Sequence, residues 1–175
     1  SVFTWSAWVK RGTLGTAQTL FTAWDGTSAT AGQIGFLAGD TIQIALGGTA
    51  TIGDATSAAV FRDPSAWYHI VVNVETSQAT GSNRIRLYVN GVQQTLTFGN
   101  TPALNAVGLI NSTVQHRFAA FTSGINYFDG YMTDVHFIDG QALTPSSFTE
   151  TDATTADALS AAAAQISRTI GARAV

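Results

Sequence analysis

The chain has 175 residues, of which 45% are hydrophobic and only 11% charged, and a formal net charge of −3. That length suits one domain with a substantial core. Lys10 is the only lysine, and the clustered cations that phosphate neutralisation demands are missing, so nucleic acid is not an expected partner. No apolar run approaches the roughly 20 residues of a membrane-crossing helix, so no membrane partner is expected, and with no cysteine there is no disulfide.

The chain opens without an initiator Met or a leader pattern, directly on SVFTWSAWVK. Phe3, Trp5, Ala7 and Val9 share one face of this strand, and Thr4, Ser6, Trp8 and Lys10 the other. Such an opening is expected of a processed or partial product whose first strand is missing or is supplied by an assembly partner. Ile34, Phe36 and Ala38 alternate, Gly39-Asp40 turns, and Ile42, Ile44 and Leu46 alternate again, which predicts a hairpin. In WYHIVVNVE, Tyr68, Ile70, Val72 and Val74 fall on one face. In RIRLYVNG, Ile85, Leu87 and Val89 alternate with Arg84, Arg86, Tyr88 and Asn90. Asn90-Gly91 is the strongest hairpin signal in the chain, because a type I′ turn needs positive φ at both positions.

Further strands are predicted over 116–121 and 127–138. Period-two alternation for about 140 residues, with no helical stretch inside it, gives an all-β, two-sheet antiparallel jelly-roll sandwich over 1–150. Thr144-Pro145 predicts one helical turn. The Thr/Ala-rich remainder, 151–175, reads as a linker and a short C-terminal α-helix over 156–170. Its apolar stripe of Leu159, Ala163, Ile166 and Ile170 is expected to anchor or oligomerise the protein, since so short a helix needs something to dock on.

Three pieces, WYHI at 67–70, LYVNG at 87–91 and FDGYMTDVHF at 128–137, resemble in order and spacing the laminin-G-like jelly rolls of the concanavalin A-like lectin/glucanase superfamily. FTWSAWVKRG resembles an early strand of that family. The run FDGYMTDVHFIDGQALTPSSF is most similar to versions in bacteriophage surface proteins. The resemblance spans about 2–149. It implies a non-enzymatic virion protein, a head decoration or fibre component exposed on the particle, with other virion proteins and copies of itself as partners. The tail and the absent leading strand depart from the family pattern.

Asp129, Asp134, Asp139 and His136 raise the question of a metal or catalytic cluster. Strict alternation puts Asp134 and His136 with Met132 and Phe128, and Asp129 with Tyr131, Val135 and Phe137. Both faces then carry large apolar groups, so the strand is expected inside the sandwich or bulged near Thr133-Asp134. Two ligands on one face fall short of a zinc site, and nothing in the spacing obliges His69 or His116 to join them. Asp134 is therefore expected as a buried acceptor of backbone or His136 hydrogen bonds. The Asp-Gly pairs at 129–130 and 139–140 read as turn or bulge chemistry. No metal and no catalytic residue is assigned.

The resemblance brings in Ca²⁺, for which Asp25, Asp40, Asp54 and Asp63 in predicted loops are the available carboxylates. No DxDxDG series supports it, so the expected cofactor is none. Glycosidase chemistry needs paired carboxylates. Glu75 has no partner on its strand face, and Glu150 lies near Asp152 in a predicted loop. Glycan binding needs an aromatic platform beside hydrogen-bonding groups, and Trp8, Arg86, Tyr88 and Asn90 supply those chemistries. Host-surface glycans are the partner that follows. Packing of Trp8 and Tyr88 under a loop or against a subunit is the competing reading, and Trp24 in the AWDGTS turn is a weaker aromatic candidate.

Overall fold

The computed structural model describes residues 1–27, 30–48, 52–121 and 124–149. The expected helix, with Leu159, Ala163, Ile166 and Ile170, lies outside the described residues. Eleven strands among these form two antiparallel sheets. In chain order they are β1 (Val2–Arg11), β2 (Gln18–Trp24), β3 (Gly32–Phe36), β4 (Ile42–Ala45), β5 (Asp54–Ser57), β6 (Tyr68–Glu75), β7 (Ile85–Val89), β8 (Val92–Gln93), β9 (Leu96–Asn100), β10 (Gln115–Phe118) and β11 (Gly130–Asp139). One sheet runs β11-β1-β6-β7-β8 and the other β10-β2-β3-β4-β5-β9. This is the jelly-roll sandwich expected from the alternation. The helical turn predicted after Thr144 is a 3₁₀ turn at Pro145–Ser147.

The core lies between the sheets, where apolar alternate residues must face away from water. Phe3, Trp5, Ala7 and Val9 of β1 have no exposed surface, and they meet Leu20, Ile34, Phe36 and Ile44 of the other sheet in one cluster. Phe3 stacks on Phe137 at 5.4 Å between ring centroids, and Trp5 on Phe21 at 6.5 Å. Both turns read from the sequence form as expected. Asn90 and Gly91 take φ of 50° and 80°, and Asp40 sits at 62° in the β3–β4 turn. Ala38 belongs to that turn and is exposed, so β3 stops earlier than the alternation implied.

β1 pairs with β6 on one side and β11 on the other, so no vacant strand position flanks it. The outer side of β1 and β6 is partly covered by the segment after β11. The Thr4 hydroxyl donates to the Gln141 carbonyl (2.7 Å) and accepts the Leu143 N–H (2.8 Å), while the Asn73 amide donates to the Leu143 carbonyl (3.0 Å).

β11 corrects the sequence reading in three ways. It is an edge strand, not an interior one. The expected bulge is present: Ser6 pairs with His136 but Trp8 with Thr133, so Asp134 and Val135 stand opposite Ala7, with Asp134 at φ 50°. An extra residue reverses every face beyond it. Phe137 therefore turns into the core, and His136 turns outward, away from the side of Met132. Asp134 is exposed, so it is not the buried acceptor that strict alternation required.

Candidate functional site

The outer face of the five-stranded sheet gathers three of the four residues expected at a glycan site. Trp8 pairs with His69, Tyr88 with Val71 and Arg86 with Asn73, which puts Trp8, Tyr88 and Arg86 on one side of the sheet. All three are half-buried. Trp8 stacks on the His69 ring at 4.9 Å with 23° between planes. His69 Nε2 lies 3.0 Å from the Ser6 hydroxyl, and burial, followed by the charge of nearby His136, lowers the His69 pKa below its ordinary 6.5. The imidazole is thus held neutral as the support beneath the indole. Ser6 is wholly buried, so this Ser–His contact offers no accessible nucleophile.

Asn90 has a different role. Its side-chain oxygen accepts the His69 N–H (2.8 Å) and its own N–H donates to the His69 carbonyl (2.9 Å). It closes the β7–β8 turn and fixes the backbone under the Trp8 support. Trp67, 40% exposed beside this face, was not singled out by the sequence reading. Its place just before β6 was the available signal.

The face ends in a groove of about 350 Å³ where β7, β8 and β9 meet the 3₁₀ turn at Gly81–Asn83. Arg86, Asn83, Gln93 and Gln94 bring polar groups to it, and Leu96 and Phe98 bring apolar surface. Gln93 pairs with Tyr88, which makes the groove continuous with the aromatic part of the face. A second hollow of about 320 Å³ has Trp24, Asp25, Val114 and Gln115 in its wall.

The loop aspartates are dispersed. Asp40 forms ion pairs with Arg11 (3.0 Å) and Arg62 (2.9 Å) and accepts the Gly15 N–H at 2.8 Å. That N–H, outweighing burial, and the two guanidinium groups hold the Asp40 carboxyl below the usual carboxylate range. Asp25 accepts the Thr27 N–H (2.9 Å), Asp63 the Ser65 N–H (2.8 Å), and Asp54 the Asn100 amide (3.0 Å). Asp129 accepts the Thr13 hydroxyl and Asp139, at the end of β11, the Asn111 amide (2.6 Å), each from a residue distant in sequence. Glu75 accepts the Gln78 amide (2.6 Å). His116 lies on the other sheet, stacked on Phe21. Among the described residues no three His, Cys, Asp or Glu side chains converge.

Residues 1–147 match a laminin-G-type family model described as the concanavalin A-like lectin/glucanases superfamily. No curated protein matches the sequence. Among solved structures, the CBM40 of the Ruminococcus gnavus IT-sialidase bound to alpha2,6 sialyllactose superposes with a TM-score of 0.60 at 11% identity, covering 84% of this chain and 80% of that one. The same module bound to alpha2,3 sialyllactose gives 0.57 at 12% identity over the same shares. The leech intramolecular trans-sialidase complexed with 2,7-anhydro-Neu5Ac gives 0.60 at 16% identity, over 85% of this chain but only 22% of that much longer one. At these identities the likeness is one of fold.

Proposed function

Because the chain belongs to the concanavalin A-like lectin/glucanase superfamily, we propose that it is a non-catalytic carbohydrate-binding module that holds glycans on the outer face of its five-stranded sheet. The observation that carries this is the in-register placement of Trp8, Tyr88 and Arg86 on one partly exposed face. A sugar ring offers an apolar face to an indole or phenol and hydroxyls to guanidinium and amide groups. His69 presses on one side of the Trp8 ring and leaves the platform pre-oriented, which lowers the ordering cost of binding. The similar modules carry sialyllactose on the same fold, which supports glycans as the ligand class.

The test is a glycan array probed with the purified domain and with Trp8→Ala. Binding that Trp8→Ala abolishes supports the reading, and a blank array overturns it. The finer placement is a head-decoration or fibre protein on a bacteriophage particle, among other virion proteins and copies of itself. It rests on the resemblance of the segment 128–148. Detecting the chain in purified particles by mass spectrometry checks it, and its absence from them removes the placement without touching the glycan reading.

A further inference from the structure

We infer that the groove at the β7–β9 end of this face receives the anionic group of an acidic sugar, a carboxylate or a sulfate, on Arg86. This rests on the glycan-binding reading and specifies its ligand class.

The described arginines differ in what they touch. Arg11 reaches Asp40 and the Phe61 carbonyl, Arg62 reaches Asp40, and Arg84 donates to the carbonyls of Gln78, Ala79 and Pro102. Arg117 donates to the Gln115 side chain. Arg86 alone among them meets no hydrogen-bond or ion-pair partner among the described residues, although it is half-buried in the wall of a groove. A half-desolvated guanidinium keeps its charge and five N–H donors, and internal acceptors normally take several of them.

The surroundings fit an anion rather than a missing internal partner. No Asp or Glu lines the groove, so the Arg86 charge is not offset where a ligand would enter, and concave walls concentrate that field. The side-chain amides of Asn83 and Gln93 also make no hydrogen bond among the described residues, while Gln94 spends one N–H on the Val92 carbonyl (2.9 Å). Neutral amides of this kind both donate and accept, which suits hydroxyls or an N-acyl group next to the anion. Leu96 and Phe98 give the apolar contact that a pyranose ring requires. A planar carboxylate takes two parallel N–H bonds from one guanidinium. A sulfate can do the same through two of its oxygens.

The experiment is an NMR titration of the labelled full chain with glucuronate-terminated and sulfate-terminated oligosaccharides and with their neutral counterparts, repeated on Arg86→Gln. The expected result is preferential binding of at least one acidic ligand, with shifts at the amides of Asn83 and Gln93. Arg86→Gln should weaken that ligand about tenfold, the scale of one charge-assisted bidentate contact. The two acidic arms tell carboxylate from sulfate. Neutral glycans bound as well as acidic ones would overturn the inference and leave the carbohydrate reading standing. Equal acidic affinity in Arg86→Gln, or shifts only around Trp8, would overturn it too. No binding in any arm would remove both.

Discussion

Arg11 and Arg86 both lie on strands of the five-stranded sheet, yet they do opposite things. Arg11, at the end of β1, is fully buried, 3.0 Å from Asp40 in the β3–β4 turn of the other sheet, with its guanidinium carbon 4.1 Å from the centre of the Phe36 ring. It clasps one sheet to the other. Arg86 is half-buried in a groove wall that supplies no carboxylate. An arginine on which the fold depends is given its acceptor by its own chain, because an unpaired buried charge costs more than the pair gains. One left without an acceptor at a concave surface has its hydrogen-bonding capacity turned outward.

The contrast can be broken most forcefully at Asp40. Asp40→Ala strands Arg11 inside the protein and is expected to cost about 3 kcal/mol, read as a lower urea midpoint. A loss below about 1 kcal/mol would mean that Phe36 and the Phe61 carbonyl already satisfy Arg11.

Acid should act on the same corner more gently. The folded Asp40 carboxyl titrates below the unfolded value of 3.8, so between the two the unfolded chain binds a proton that the folded one does not. Its contribution is complete above 3.8 and disappears as pH falls through the folded value. Denaturation series at descending pH should show that loss in the parent and a flatter profile in Asp40→Ala. Identical slopes would place the acid sensitivity elsewhere.

Arg62, whose side chain is 60% exposed, is the outer partner of Asp40, and Arg62→Ala removes it. Solvent already screens that pair, so calorimetry should find less than about 1 kcal/mol. Arg86→Gln should be the mildest, within about 0.5 kcal/mol in the same assay, although it alone of these is expected to impair acidic-glycan binding. A large stability loss at Arg86 would assign it to the scaffold.

The parts of the fold that the sequence made legible are those where side chains and backbone follow one period. Phe3, Trp5, Ala7 and Val9, then Tyr68, Ile70, Val72 and Val74, then Ile85, Leu87 and Val89 each keep one face apolar at every second position, and all pack as read. Asn90-Gly91 fixed its turn because only a few residues tolerate positive φ. β2, β5 and β9 went unread. QTLFTAW is buried on both sides and carries a register irregularity near Leu20, while DATS and LTFGN are short and polar.

Alternation puts Trp8 on the polar face of one strand and Arg86 and Tyr88 on that of another, while the joining of those faces into one depends on β6 lying between β1 and β7. Asn90 was grouped with them by the same rule, but a turn residue answers to backbone geometry first. Apolar groups on both faces of the strand make a bulge near Thr133-Asp134 legible, while its effect on His136 and Phe137 depends on which side of the extra residue each one lies. The Arg11–Asp40 clasp joins residues on different sheets, and no local pattern encodes that. Composition hid it as well, since a lone Arg at a strand end reads as solvated.

The placement of β1 between β6 and β11 has a consequence for synthesis. Thr4 ends up bonded to Gln141, 137 positions away, so β1 gains its second neighbour only after the ten strands that separate it from β11's end have been made. Until β11 emerges, one edge of a hydrophobic ribbon stands open and able to recruit the same segment from another nascent copy. Contacts so distant in sequence also slow the search for the native state. Refolding of the intact chain should therefore be gated by docking of β11 onto β1, and a holdase that covers Val2–Arg11 would raise the yield.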